Sequence, residues 1–239
     1  MDSEITTAPS PVTVDPAAAT AQSVSRLQQA IQKRNETDRS FINWWIYFLL
    51  LSWITFGLAG VYYFYRRMSR LDAFSHRKMA YYDALVEFTE RRADLGGNPA
   101  PTRVLTDQMR RDLSEASGSS LKPIGAALNF ILTIVTLGVW GWVVIYKVNR
   151  AWDDRQRFEA KFDETLSQAW LQLGLLTHPI TFRIDEGKSR NFWLWLVLSV
   201  VTLGVWYIVW DYRLYTDPER LYPEFHSVED AVIQIARTA

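Results

Sequence analysis

Three long apolar runs constrain the fold of this chain more than any other feature of its sequence. None of them contains Asp, Glu, Lys, Arg or His, and they cover residues 41–65, 124–146 and 191–210. Uncharged apolar stretches of about 18 or more residues are typical of membrane-spanning helices, because about 20 helical residues cross a hydrocarbon layer ~30 Å thick. The runs predict an all-α, multi-pass membrane protein with three repeated hydrophobic segments and amphipathic connecting helices.

A short motif recurs inside the three runs. The letters Thr-Leu-Gly-Val-Trp begin at Thr136 and again at Thr202, and a looser copy, Thr-Phe-Gly-Leu-Ala, begins at Thr55. Each copy also has Ser or Thr three positions before this Thr, Tyr ten positions after it and Arg or Lys eleven positions after it. Matches at so many fixed offsets indicate an internal repeat. The defining residues are Thr55, Gly57, Thr136, Gly138, Trp140, Thr202, Gly204 and Trp206.

The motif has two interpretations. A Thr hydroxyl can bond a carbonyl one turn earlier and Gly is tolerated in membrane helices, so the motif need not interrupt a helix. Its simpler role is then a close helix-helix contact through small residues. The functional alternative is a hinge or a kink that contacts lipid.

The repeat divides the chain into a tail and three units. Residues 1–23 are rich in Ser, Thr, Pro and Ala and show no periodicity, which predicts a disordered tail. Repeat 1 has a lead-in helix, a membrane segment and an amphipathic helix; repeat 2 has a linker, a membrane segment and an amphipathic helix; repeat 3 has a loop, a membrane segment and a C-terminal tail. The repeats are predicted at residues 24–95, 96–174 and 175–239, and their membrane segments at 41–65, 123–146 and 191–212.

Two amphipathic helices follow the first two runs, because apolar residues recur there with a period near 3.6. The first stripe is Leu71, Phe74, Tyr81, Leu85 and Phe88, and the second is Trp152, Phe158, Phe162, Leu166, Ala169 and Leu173. Each stripe needs a surface: the other helix, a second subunit or the membrane. Packing on the other helix, or on a copy of itself, is the simplest expectation. Between them, residues 104–113 predict a short helix between loops at 96–101 and 114–122, and residues 180–184 predict an extended loop.

The runs fit two arrangements in a membrane. A straight helix from Trp44 to Tyr62 would be ~27 Å long with aromatic rings at both membrane faces, which favours a single crossing. The third run has the same pattern, with Trp193 and Trp195 at one end and Trp206 and Trp210 at the other. Single crossings would divide the 26 Lys and Arg residues almost equally between the two sides. Re-entrant hairpins that bend at Thr-x-Gly would put all of them on one side, as the positive-inside rule prefers.

Composition offers little catalytic chemistry. The net charge is zero without a long basic tract, which does not suggest nucleic acid as a partner, and the absence of Cys removes thiolate catalysis and thiolate metal sites. The three histidines, His76, His178 and His226, are scattered. Asp72 and His76 lie one helical turn apart, which is either a weak metal or proton pair or, more simply, a solvated charge pair. We therefore assign no catalytic, cofactor-binding or metal-binding residues.

The repeat resembles a known family. Three apolar runs that each end in Thr-[Leu/Phe/Cys]-Gly-[Ile/Val/Leu]-[Trp/Tyr], followed by aromatic residues and a Tyr-Lys or Tyr-Arg step, are similar to the prokaryotic membrane proteins of domain-of-unknown-function family 4234. The resemblance covers residues 43–213 and is clearest in the second and third copies, since the first has Ala59 where the family has an aromatic residue. It implies an integral membrane protein of bacteria or archaea and brings no activity with it.

These observations predict a non-enzymatic scaffold or assembly partner at the cell membrane. Its expected partners are the lipid bilayer and either copies of itself or another membrane protein. A small pore or transporter formed by oligomerisation is the alternative, in which Ser199 and Thr202 would line the path of the solute.

Overall fold

The chain folds around three long helices. The computed structural model describes residues 16–38, 43–51, 54–55, 58–96, 100–180, 184 and 191–239. Within these residues, all regular structure is helical, which confirms the predicted all-α class. The elements are α1 (Pro16–Gln32), α2 (Arg34–Thr37), a π-helical segment (Ile46–Leu51), α3 (Leu58–Leu95), α4 (Ala100–Gly118), α5 (Ala126–Val135), α6 (Val139–Gln172), α7 (Phe192–Val201) and α8 (Val205–Thr238).

Helices α3, α6 and α8 lie parallel to one another. They contain 38, 34 and 34 residues, so each is about 50 Å long or slightly longer. Ring contacts between them occur in the same order along the helices: Tyr63–Tyr215, Phe74–Trp152, Phe74–Phe225 and Tyr82–Phe162. The N-terminal ends of all three helices therefore lie at one end of the bundle.

The two predicted stripes bury each other inside this bundle. Every member of the α3 stripe is buried, and on α6 only the last, Leu173, is partly exposed. The ring centroids of Phe74 and Trp152 are 5.5 Å apart. Burying an apolar side chain of this size contributes roughly 1.5–3 kcal/mol, so this contact is a main source of stability. The expectation that one amphipathic helix packs on the other is confirmed.

Helices α1 and α4 pack antiparallel to the long helices, in two different grooves. α1 contacts α3 and α8, and α4 contacts α3 and α6. The ion pairs of α1 with these neighbours are Arg26–Glu87 at 2.8 Å and Arg34–Asp230 at 2.6 Å. Those of α4 are Arg103–Asp94 at 3.2 Å, Arg110–Glu90 at 2.5 Å and Asp112–Lys161 at 2.7 Å.

Two predicted boundaries were wrong. Helix α1 begins at Pro16, inside the segment predicted to be a disordered tail. Its alanines favour helix, and Ala19 and Ser23 are buried in the bundle. Helix α4 covers residues 100–118 and so includes residues predicted to be loop at both ends. Ile180 and Ile184 have no regular secondary structure, and the residues between them lie outside the described part of the chain.

Candidate functional site

The second and third apolar runs are helical hairpins. α5 ends at Val135 and α6 begins at Val139, while α7 ends at Val201 and α8 begins at Val205. We call α5 with the start of α6 hairpin 2, and α7 with the start of α8 hairpin 3. In hairpin 3 the ring of Trp195 lies 5.7 Å from that of Trp206, although the two were predicted at opposite membrane faces. Of the two arrangements left open by the sequence, the straight helix is wrong for the second and third runs, because the chain reverses at the motif as in the hairpin alternative.

The described part of the first run also folds back on itself. The rings of Tyr47, in the π-helical segment, and Tyr63, in α3, are stacked with centroids 4.1 Å apart. We call this pair of segments hairpin 1. Ser52 and Gly57 of the first motif lie outside the described residues.

The motif threonine joins the two helices of each hairpin. Thr136 Oγ1 donates to the carbonyl of Leu132 at 2.8 Å and accepts from the backbone N–H of Trp140 at 2.9 Å. Thr202 makes the same two bonds at 2.8 and 2.9 Å, and Thr55 makes them at 2.7 and 2.9 Å. One hydroxyl therefore bonds a terminal carbonyl of the first helix and a terminal N–H of the second.

The motif glycine allows the chain to turn. Gly138 and Gly204 have φ angles of +92° and +91°, each after a leucine at +50°. The glycine N–H groups donate to the carbonyls of Thr133 and Ser199 at 2.7 Å. A Cβ on either glycine would meet nothing within 4 Å. Neither glycine therefore makes a close contact within the described residues. Both are needed for their backbone conformation, which is the geometry of the kink alternative.

The motif tryptophans contact the first helix of their hairpin. Trp140 Nε1 donates to Asn129 Oδ1 on α5 at 2.9 Å, and the amide of Asn129 donates to the Ile124 carbonyl at 2.7 Å. Close packing through a small residue occurs nearby at Gly141, where an added Cβ would lie 3.4 Å from Thr133. Trp206 instead packs on Trp195.

The hairpin tips expose apolar side chains. Leu137 and Leu203, at the turns, are each 94% exposed. Among the described residues, exposed large apolar side chains are concentrated in the three hairpins, and only Leu95, Val104, Leu171 and Ile184 lie elsewhere. Because α3, α6 and α8 are parallel, all three tips project from the same end of the bundle. Exposed apolar side chains grouped at one end of a molecule are typical of a membrane or protein contact.

The described helices were also compared with the length and hydropathy that a membrane crossing requires. Within the described residues, none of the helices meets both requirements.

Polar side chains cap the short helices at the base of the hairpins. The Asp72 carboxylate, on α3, accepts from the backbone N–H groups of Ile124, Gly125 and Ala126 at 2.5, 3.1 and 2.7 Å. A negative charge is favourable there because the N-terminus of a helix carries partial positive charge. Asp72 thus caps α5, while His76 is exposed. The prediction that Asp72 and His76 form a solvated charge pair is therefore wrong.

The position of Asp72 belongs to the internal repeat. An acidic residue stands 17 positions after each motif threonine, at Asp72, Asp153 and Glu219. Asparagines cap the other two short segments: Asn43 Oδ1 accepts from the N–H of Trp45 at 2.9 Å, and Asn191 Oδ1 from that of Leu194 at 3.2 Å.

A buried charge cluster lies deeper in the bundle. Lys78 Nζ, on α3, lies 2.8 Å from Glu159 Oε1 on α6 and 3.0 Å from Glu229 Oε1 on α8. Arg77 lies 2.6 Å from Asp38 and 2.9 Å from Glu229. The side chains of all five are at most 3% exposed. The cluster ties the three long helices and the end of α2 together.

The electrostatics of this cluster follow from burial and pairing. Burial lowers the pKa of Lys78, but the carboxylates of Glu159 and Glu229 outweigh it and leave that pKa raised. Burial raises the pKa of Glu229, but Lys78 and Arg77 outweigh it and leave that pKa lowered. Burial and the nearby Glu159 hold the pKa of Asp163 well above its usual value. Lys78 and Glu229 therefore keep their charges at neutral pH, whereas burial favours the protonated form of Asp163.

The two remaining histidines lie apart from each other, and the described acidic and histidine side chains were considered as metal ligands. His178 is exposed, and His226 Nε2 lies 2.9 Å from Asp38 Oδ2. In the part of the chain that the structure describes, no group of three or more His, Asp or Glu side chains is placed to hold a metal ion.

Comparison with known proteins gave no relative: no family model, curated protein or solved structure matches this chain. The resemblance to domain-of-unknown-function family 4234 stays a prediction.

Proposed function

We propose that this protein is a non-enzymatic scaffold, anchored in one leaflet of the cell membrane by its three hairpins, which holds a charged helical bundle against the membrane surface. The observation that carries the proposal is the set of exposed apolar tips at a single end of the bundle. Its first partner is the bilayer. A second copy or another membrane protein is the partner that the bundle would assemble.

The hairpins match half of a bilayer in depth. α5 and α7 contain 10 residues each, which is ~15 Å of helix, or about half of a hydrocarbon core of ~30 Å. Backbone polar groups within hydrocarbon need partners inside the protein. The Thr136 and Thr202 hydroxyls and the glycine N–H groups supply such bonds at the turns.

Basic residues lie at the base of the hairpins. The residues eleven positions after the motif threonine are Arg66, Lys147 and Arg213, of which the last two are exposed. A basic side chain near an anionic leaflet contributes about 1 kcal/mol to membrane attraction. The position of these charges, just beyond the apolar segments, favours binding to the headgroup region.

The bundle also supports a one-sided arrangement. The stripes of α3 and α6 pack together, as Phe74 and Trp152 show, so the segments that follow the first two runs lie on one side of the membrane. All described Lys and Arg residues then share that side, and the positive-inside rule places them in the cytoplasm.

The contacts of Ser199 and Thr202 favour the scaffold over the pore alternative. Ser199 Oγ donates to the Trp195 carbonyl and Thr202 Oγ1 to the Leu198 carbonyl, at 2.7 and 2.8 Å. Both hydroxyls are thus used in the hairpin instead of facing a water path.

Vesicle flotation tests the proposal. The double variant Leu137→Asp/Leu203→Asp places two carboxylates at the tips, and an Asp within hydrocarbon costs ~3 kcal/mol. We expect at least about a tenfold loss of binding to phosphatidylcholine vesicles. Thermal unfolding of the bundle should stay unchanged, since both side chains are almost fully exposed.

Val104→Asp is the matched control, because Val104 is 64% exposed on α4, away from the hairpins. It should float like the wild type. Equal flotation of the double variant and the wild type, or an equal loss in the Val104 variant, would contradict the proposal.

A further inference from the structure

A cavity lies where the hairpins meet the bundle. It has a volume of about 50 Å³ and is walled by α3, α6 and α8. Since one water needs about 10–15 Å³ by this measure, the cavity has room for several waters or a group of similar size. Its lining includes Arg66, Arg67, Arg70, Trp152, Tyr215 and Glu219.

Positive charge dominates the cavity wall. Among the described residues that line the cavity, Arg66, Arg67 and Arg70 face one carboxylate, that of Glu219. Arg67 also pairs with Asp211 through Nη2 at 2.9 Å. Even with Asp211 counted, the guanidinium groups outnumber the carboxylates, so an anion in the cavity would be attracted.

Two of these guanidinium groups have unused donors. Nε of Arg67 and Nη2 of Arg70 are buried and have no hydrogen-bond partner among the described residues, and the same holds for the acceptor Oε1 of Glu219. A buried charged donor without an acceptor costs roughly 1–3 kcal/mol or more, and such groups require an explanation. An anion with several oxygens would satisfy both, and arginine suits phosphate oxygens best because its donors form a planar fork.

The cavity lies at the depth of lipid headgroups. Arg67 is nine residues from Leu58, the first residue of α3, which is ~14 Å along the helix. That distance is close to the half-thickness of the hydrocarbon core. We propose that the cavity binds one phosphate ester group, supplied by the headgroup of an anionic lipid. This inference rests on the proposed anchorage of the hairpins in the membrane.

Headgroup preference in flotation tests the inference. Both lipids carry a phosphate ester, but in phosphatidylcholine a quaternary ammonium cation lies beside it, which the cavity arginines would repel. We compare phosphatidylcholine vesicles with vesicles containing one-fifth phosphatidylglycerol, in about 1 M salt, where the Debye length of ~3 Å suppresses attraction between exposed charges. The wild type should prefer the phosphatidylglycerol vesicles by about tenfold, the effect of one charge-assisted hydrogen bond or more. Arg70→Gln should abolish that preference and leave phosphatidylcholine binding unchanged.

Two further variants sharpen the result. Arg150→Gln removes the same charge from a side chain that is 67% exposed and outside the cavity, and it should keep the preference. Glu219→Gln removes the opposing carboxylate and should increase the preference. Equal losses in the Arg70 and Arg150 variants, or a loss in the Glu219 variant, would overturn the inference.

Soluble glycerol 3-phosphate distinguishes the sources of the phosphate. If it raises the melting temperature of the detergent-solubilised protein more than glycerol does, and Arg70→Gln removes the effect, the cavity binds a phosphate ester. A headgroup preference in flotation then identifies the lipid as its source, and no preference identifies a free ester.

Failure of the anchorage is a separate outcome. Wild-type protein that floats with neither vesicle contradicts the proposed function, and the glycerol 3-phosphate titration still tests the cavity. If neither measurement depends on Arg70, the site does not exist.

Discussion

The threonine of each motif uses its hydroxyl both as a donor and as an acceptor of hydrogen bonds. The isosteric change Thr136→Val therefore leaves the N–H of Trp140 without its acceptor. Loss of a helix N-cap costs about 1 kcal/mol. We expect the Trp140 amide to exchange its hydrogen about fivefold faster or more in native-state exchange measurements.

Thr216→Val is the control for this change. The Thr216 hydroxyl donates to the carbonyls of Tyr212 and Arg213 at 3.1 and 3.4 Å and bonds no N–H. Its loss should leave exchange of nearby amides almost unchanged. Similar acceleration in both variants would mean that the capping bond contributes nothing particular.

The motif glycine gives a second residue-scale prediction. Gly138→Ala forces a side chain into φ +92° although space is free, and this conformation costs a non-glycine residue about 1 kcal/mol or more. Gly118→Ala, at the end of α4, also has free space but no positive φ. We expect Gly138→Ala to lower the free energy of unfolding by about 1 kcal/mol, and Gly118→Ala to raise it by ~0.4–1 kcal/mol. Denaturant unfolding of both variants checks the difference in sign.

At the scale of elements, sequence patterns predicted the helices whose signal is local. The stripes of α3 and α6 follow a period near 3.6, and that period identified the buried face of each helix. The hairpins were harder, because an apolar run without charge is compatible with one crossing or with a reversal. Two features distinguish the reversal from a crossing: the positive φ of Gly138 and the hydrogen bond from Trp140 to Asn129. Both form only when the two helices of a hairpin pack together.

Contacts between distant segments were likewise beyond sequence patterns. Lys78 and Glu159 look like solvent-exposed charges on two amphipathic helices, yet they are buried together across 81 positions of chain. Only the first half of α1 was taken for a tail, because residues 16–23 show no periodicity of their own; this part of the helix packs on the bundle through Ala19 and Ser23. The cavity arginines carried a partial signal, since Arg66 belongs to the repeated Tyr-basic step.

Asp163 and Glu159, two buried acidic residues on α6, make the stability of the protein depend on pH. Burial, and then the charge of Glu159, raise the pKa of Asp163 well above its usual value. The folded protein therefore binds one more proton than the unfolded chain between the unfolded pKa of about 3.9 and the raised folded pKa. Stability falls as pH rises through that window.

Asp163→Asn should remove this dependence. The variant should gain stability relative to the wild type as pH rises from about 4 to 8, measured by denaturant unfolding at each pH. Asp154→Asn makes the same change at a side chain that is 42% exposed and is the control. A variant that loses stability relative to the wild type with rising pH would contradict the assigned shift.

In the molecule as a whole, the parallel packing of α3, α6 and α8 places the three hairpins at one end of the bundle. Each long helix starts at a hairpin and runs away from it, while α1 and α4 run back toward the hairpin end. The bundle and the tips are thus segregated along one axis. If the hairpins are anchored as proposed, residues before and after each apolar run lie in one compartment.

Single cysteines test that topology, because the chain contains no Cys. Glu115→Cys and Thr177→Cys flank the second run, and Thr177→Cys and Thr238→Cys flank the third; all three positions are exposed. We expect all three to react alike with a membrane-impermeant thiol reagent, in broken cells and not in intact ones. Leu203→Cys, at a tip, should react only after the membrane is dissolved, although its side chain is 94% exposed in the protein. Reaction of Thr177→Cys and Thr238→Cys from opposite sides would instead require the third run to cross the membrane once.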